Sequence, residues 1–539
     1  MFKQIFTSAV LGLGLAAIPA LSASAQIQID RLDPAARYDI GVLEPGKGAL
    51  SPDLWNGTDA VRAQRLVENI DTNASAAALS LARTVLLSGG TPPVSDTDIA
   101  LGFYQKARLA KILQMESLET FDQIANRSSI YTRSKTGLSL RADRALLAGD
   151  AAGVCGLIRD LDPEERMQPY WAKVRAYCHF TNNEIPAMEL TADLLKRTGH
   201  KDPGFFALLG VLSGSRTKPV KTLLIKTPLH MALAMRIQDE KDLSGALPPR
   251  LLAQKATRSD LEPDARLKAL LAGAHYLSRE QIANVLAALA PGALENPSLL
   301  DGDNPWDASQ WGGAYLALRQ SRDIAMSAQW LGRLLGEADR RGVLRDFAPV
   351  FASDLSMIPA LYQAENGAKT FAKIAVLNHD TGALRGLHQE LAPEDPLRGR
   401  IALASDALGN GFLLSELGSD IETRLQQDGV EQSRAIRDTY LAVAMGAKLG
   451  EPAFSVIKSV STLKGKRAHP ADLLALGATT RQGAKAESLL VAAAILADKS
   501  LRQTQVADLA TIIKDLSDAG LSEQAGVLAA EDFLGIDPE

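Results

Sequence analysis

The chain has 539 residues, 46% hydrophobic and 22% charged, with 58 Lys and Arg against 63 Asp and Glu. That balance excludes a disordered or fibrous chain. The mild formal charge of −5 excludes a dedicated nucleic-acid binder, which needs a concentrated basic face. Aromatics are sparse at 5%, while Ala and Leu dominate nearly every segment, so helices are favoured over strands.

The chain opens with the pattern of an export signal. Met1 to Lys3 give a short positive start, Ile5 to Leu21 an apolar run interrupted by Pro19, and Ala23-Ser24-Ala25 a small-residue cleavage site. Residues 1–25 read as a cleaved signal peptide, with Gln26 first in the mature chain and a periplasmic destination. No later stretch reaches the roughly 18 uninterrupted apolar residues of a spanning helix, so no transmembrane segment is expected after cleavage. Residues 26–57 hold Asp33-Pro34, Glu44-Pro45-Gly46-Lys47-Gly48 and Ser51-Pro52, and are expected to form an irregular arm across the first helices.

Helical patterns follow, broken by short polar turns. Ala148-Gly149-Asp150, Thr181-Asn182-Asn183-Glu184 and Ser213-Gly214-Ser215 separate apolar segments, and the positions 149, 182 and 214 lie 33 and 32 apart. Gly450, Gly483 and Gly520 repeat the device near the other end, 33 and 37 apart. Helices of about 10–15 residues joined by such turns point to an all-α fold, an α-solenoid of antiparallel helical hairpins. The Pro- and Asp-rich stretch from Pro291 to Trp311 reads as a linker or hinge between an array at 58–290 and another at 312–539. In the second array, Ile436, Tyr440, Val443, Ala444 and Ala447 form one apolar stripe, and Leu489 to Leu496 is apolar all round, which predicts packing on both sides.

The two cysteines, Cys155 and Cys178, fit an oxidising compartment. If the helix carrying Cys178 begins near Tyr170, the two thiols come level within roughly 5 Å across antiparallel helices. If it begins at Pro163, they are offset by about 10 Å or more and cannot bond. A disulfide and two buried free thiols both remain open at this point.

Trp171, Ala176, Ala187 and Leu194, around the turn at Asn182–Asn183, resemble a degenerate tetratricopeptide repeat. Arg175 stands where that repeat's first helix has Gly, and Cys178 where it has Tyr, so the likeness covers the hairpin pattern. More widely, the chain resembles secreted helical-repeat proteins of Gram-negative bacteria, a class that implies no particular reaction. The resemblance implies a scaffold that binds an envelope protein or peptide along a concave face.

Catalytic and cofactor motifs are missing: the sequence holds no HExxH, GxSxG, GxxxxGK[ST] or CxxC, and no cofactor or metal is expected. The nearest phosphate-loop string, Gly41 to Gly46-Lys47, has Gly48 where a hydroxyl is needed. Gly409-Asn410-Gly411 lacks the third Gly of a dinucleotide loop. Ser455-Val456-Ile457-Lys458 and Ser461-Thr462-Leu463-Lys464 give the serine–lysine spacing of penicillin-binding proteins without its companion motifs. Glu116-Ser117 and Glu487-Ser488 match the catalytic dipeptide of lytic transglycosylases but not its sequel, which leaves a cell-wall glycan enzyme as the alternative to a scaffold. Asp301, Asp303, Asn304 and Asp307 miss the EF-hand spacing. Two basic clusters, Arg216/Lys218/Lys221/Lys226 and Lys464/Lys466/Arg467, read as solvated loops or as peripheral contacts to anionic lipid or glycan. His379-Asp380 and His388 read as turn and surface residues.

Overall fold

The computed structural model describes residues 39–536 apart from 238, 303, 411–420, 422, 427, 428, 448–454, 456, 457 and 459–462. The export signal, the first part of the arm and the turn at Gly450 lie outside the described residues. Helices dominate, and the one sheet among the described residues is a parallel pair of two-residue strands, Val220–Lys221 and Leu243–Ser244. The all-α expectation holds at that level. No helix among the described residues is long and apolar enough to cross a membrane.

The turn chemistry read from the sequence has a backbone cause. At Gly149, Asn183, Gly214, Gly483 and Gly520, φ lies between 62° and 77°. That left-handed conformation ends one helix and frees the chain to start the next. Pro169–Thr181 packs on Ile185–Arg197, Pro470–Arg481 on Lys485–Leu496, and Val506–Asp518 on Ser522–Leu534. Polar residues fix the starts of many helices. Thr97 Oγ1, for instance, accepts from the Ala100 amide at the head of Asp98–Met115.

The arm from residue 39 to 57 contains turns but no helix. Asp39 pairs with Gly90 in an antiparallel bridge, and the Val42 amide donates to the Leu87 carbonyl at 2.9 Å. Gly41 is required there: a Cβ would lie 2.1 Å from the Gly89 amide nitrogen. Leu50, Leu54 and Trp55 anchor the arm in the core.

Two cores form. The larger draws on residues between Leu50 and Leu147 and again between Ala253 and Leu534, and the smaller on residues between Ala142 and Leu251. The expected hinge at 291–311 is instead packed into the larger core. Leu300, Trp306 and Trp311 are buried, and the two indole rings meet edge-on at 5.8 Å. Its Pro and Asp residues shape a 3₁₀ turn (Pro297–Leu300) and cap the helix Ala308–Gln320. The division in the buried core therefore falls at the smaller core, and not between two arrays at 291–311.

The larger core also joins distant parts of the chain. Ala76–Leu87 packs along Lys485–Leu496, the Ser75 amide donates to the Ala497 carbonyl, and the Ala486 amide to the Leu54 carbonyl, both at 2.9 Å. Pro470–Arg481 packs on Lys485–Leu496 too, and the all-apolar stretch 489–496 is buried except for half-buried Val491 and exposed Ala494. In Val430–Ala444 the predicted residues Ile436, Tyr440 and Ala444 pack half-buried on the larger core, and Ala435, Asp438, Thr439, Leu441 and Ala442 beside them are buried. Asp438 is buried because Arg424 meets it at 2.7 Å.

Candidate functional site

A cavity of about 930 Å³ lies where seven chain segments meet. They are the arm at 43–48, the helix Ala76–Leu87, the junction at 116–123, the segment 274–282, residues 345–349, the turn at 377–379, and the start of the helix Ser522–Leu534. Three helices begin at this wall, Leu118–Ala125, Arg279–Ala287 and Ser522–Leu534, and each carries a Glu in its first turn. Glu119, Glu280 and Glu523 thus balance the positive ends of the three helix dipoles.

The charged groups of the wall are mostly paired. Buried Glu116 lies 2.7 Å from Arg83, and Arg345 reaches Glu531 at 2.9 Å. His275 places Nδ1 3.1 Å from Asp346 and Nε2 2.7 Å from the Met115 carbonyl, so a doubly protonated ring would donate to both. His379 faces Glu523 at 3.4 Å, and the Gly48 amide donates to the same carboxylate at 2.7 Å. The His379 hydrogen bond, aided by Gly48 and opposed by burial, holds the Glu523 carboxyl below its usual range. Behind the wall, Arg250 donates to the carbonyls of Leu113 and Glu116 and stacks 4.6 Å from the Tyr276 ring centre. Burial pushes its guanidinium down to about 10.

Between these pairs the wall mixes polar side chains such as Ser80, Gln123 and Asn378 with the aliphatic Leu43, Leu81, Leu277, Leu377, Val527 and Leu528. One polar side chain stands apart. Gln524 is only 7% exposed and its amide makes no hydrogen bond among the described residues. Lining the cavity, it offers a donor and an acceptor to an occupant.

The sequence candidates scatter. Glu116 and Ser117 reach the cavity, but the Glu116 carboxylate is held by Arg83 and the Ser117 hydroxyl caps a helix. Glu487 sits elsewhere, buried against Arg62 and Thr58 where the two distant helices meet. Ser455 and Lys458 are exposed, and Ser461 lies outside the described residues. Asp301 pairs with Arg333 and Asp307 caps a helix. No cluster among the described residues could hold a metal ion. The basic residues at 216–226 and 464–467 are exposed.

Cys155 and Cys178 are joined in a disulfide, with Cα atoms 5.7 Å apart, in the smaller core and away from the cavity. The helix bearing Cys178 runs Pro169–Thr181, after a separate short helix Pro163–Met167, which brings the two thiols level. His388, read as a surface residue, is buried against Arg398. His379 does occupy a turn, at φ 54°, but that turn is part of the cavity wall. His275, Arg345, Glu523 and Gln524 carry no local motif and are found only through the fold. Comparison with protein-family models, curated proteins and solved structures finds no match.

Proposed function

We propose that the chain is an exported, non-enzymatic periplasmic scaffold, a solenoid of tetratricopeptide-like hairpins that holds a peptide segment of another envelope protein in the cavity. The export signal, the left-handed turns at a near-regular spacing and the paired helices support the general reading. The observation that carries it is the cavity wall. Its more enclosed carboxylates, Glu116 and Glu523, face Arg83 and His379, aliphatic side chains stand among its polar ones, and Gln524 is left to pair with an amide. Such a wall suits a peptide with aliphatic side chains, whose backbone amides are both donors and acceptors. At about 930 Å³ it lies in the upper part of the range of ligand sites, room for a short segment rather than a domain.

A glycan-cleaving enzyme is the reading this proposal displaces. It would need an acid placed to reach a glycosidic oxygen; Glu116 is committed to Arg83, and Glu119 and Glu280 lie in the first turns of helices, where the dipole favours their ionised form.

The test is crosslinked co-purification of the tagged chain from intact cells. An envelope protein recovered at near-stoichiometric level with the wild type, and lost with Gln524→Leu and with Asn378→Trp, which adds bulk at a lining position in the turn at 377–379, supports the proposal. Recovery of peptidoglycan fragments with no protein partner overturns it. Recovery of a protein unaffected by either variant overturns the cavity as its site.

A further inference from the structure

A second pocket, of about 530 Å³, lies between the two cores and is lined from both. Its apolar lining includes Leu146 and Met235 from the smaller core and Leu277 from the larger. Its polar lining is one-sided: Arg236, Arg250 and Arg258 contribute, and no Asp or Glu is among the lining residues. Arg250 is held by backbone carbonyls, and Arg258 pairs with Asp260, which lies outside the lining. Arg236 is exposed at the pocket with no ion-pair or hydrogen-bond partner among the described residues. Tyr177 completes the set. It is 1% exposed, and its hydroxyl has no hydrogen-bond partner among the described residues.

On the pocket lining, that hydroxyl can donate to an occupant. In the same lining, which holds no carboxylate, the Arg236 guanidinium adds a positive potential. From this arrangement we infer that the pocket binds a small amphiphile with an anionic oxyacid head. The head meets the Arg236 guanidinium and the Tyr177 hydroxyl, and an apolar body lies on Leu146, Met235 and Leu277. The volume falls within the range of small-molecule sites. This site is separate from the cavity and does not depend on what the cavity binds.

The experiment uses the full mature chain, with 1-anilinonaphthalene-8-sulfonate as fluorescent probe and decanoate or 1-decanol as competitors. Saturable probe binding, displaced by decanoate far better than by 1-decanol, is expected. Arg236→Ala and Tyr177→Phe should each weaken decanoate about tenfold, the loss of one hydrogen bond to a charged group. Gln524→Leu, in the other cavity, should leave it unchanged. Arg236 is exposed, so its variant tests the site without a burden on folding. Equal competition by decanol, absence of saturable binding, or unchanged affinity in both pocket variants overturns the assignment.

Discussion

Arg62 Nε donates to Glu487 Oε1 at 2.8 Å across a sequence separation of 425 residues. Thr58 Oγ1 donates to the other carboxylate oxygen at 3.2 Å, and the Glu487 side chain is almost wholly buried. This one carboxylate joins the arm and first helix to the first turn of Lys485–Leu496. It thereby helps fix the wall segments that come from opposite ends of the chain.

The two partners contribute unequally. The Arg62 side chain is 60% exposed, so Arg62→Ala removes a partner that water replaces and should cost under about 1 kcal/mol. Glu487→Ala strips a buried acceptor from Thr58 and should cost about 1–3 kcal/mol. Urea unfolding of both variants checks the order. A larger loss for Arg62→Ala would show that the ion pair, rather than the buried acceptor, dominates the junction.

The disulfide closes a loop with a sequence separation of 23 residues, for which the chain-entropy account gives about 3 kcal/mol. Reduction, or the double variant Cys155→Ala/Cys178→Ala, should therefore destabilise the smaller core while leaving the junction at Glu487 protected. Hydrogen exchange resolved by peptide is the measurement. Faster exchange confined to residues 142–251 is expected, and a uniform increase along the chain would mean that the two cores unfold as one unit.

What could be read from the sequence is what local residues decide. Gly149, Gly483 and Gly520 end helices because of their own backbone freedom, and Asn183 does the same through its tolerance of the left-handed region. The cavity could not be read this way, because Gly48, His379 and Glu523 meet through packing between segments far apart in the chain. At 291–311, Pro and Asp mark a turn equally well whether it is solvated throughout or anchored in the core, as here by Leu300, Trp306 and Trp311. The stripe on Val430–Ala444 does pack on the core, but hydrophobic patterning cannot anticipate the ion pair buried beside it.

That pair, Arg424 with Asp438, makes its own prediction. Both side chains are buried, and burial pushes the Asp438 carboxyl up against the downward pull of Arg424. Asp438→Ala leaves a buried guanidinium short of its charge partner and should cost about 3–5 kcal/mol. Replacing both with Met and Leu should cost much less, because no charge is then stranded. Denaturant midpoints of the single and double variants decide it. Equal losses would mean that the ion pair itself supplies net stability.

Asp143 gives the pH dependence most open to test. Tyr170 donates to its carboxylate at 2.7 Å, across the packing of Leu138–Leu147 and Pro169–Thr181. Burial nevertheless pushes the carboxyl up to about 6, against the weaker downward pulls of the Tyr170 hydroxyl and the Lys106 ammonium. In the unfolded chain the same group titrates near 3.8. The folded state therefore holds the proton more tightly. The stabilisation that this proton gives is fully present below about pH 3.8, and it is lost as pH rises through about 6. The shift corresponds to a ceiling of about 3 kcal/mol. Other carboxylates in ion pairs lose stability in acid, so the comparison is made against a variant that lacks only this titration. Asp143→Asn keeps an oxygen for the Tyr170 hydroxyl and removes the titration. Its stability relative to the wild type should rise between pH 4 and pH 7 and then level off, followed as the difference in urea midpoints across that range. A flat difference would mean that Asp143 stays ionised in the folded chain, with water reaching its carboxylate beside Tyr170.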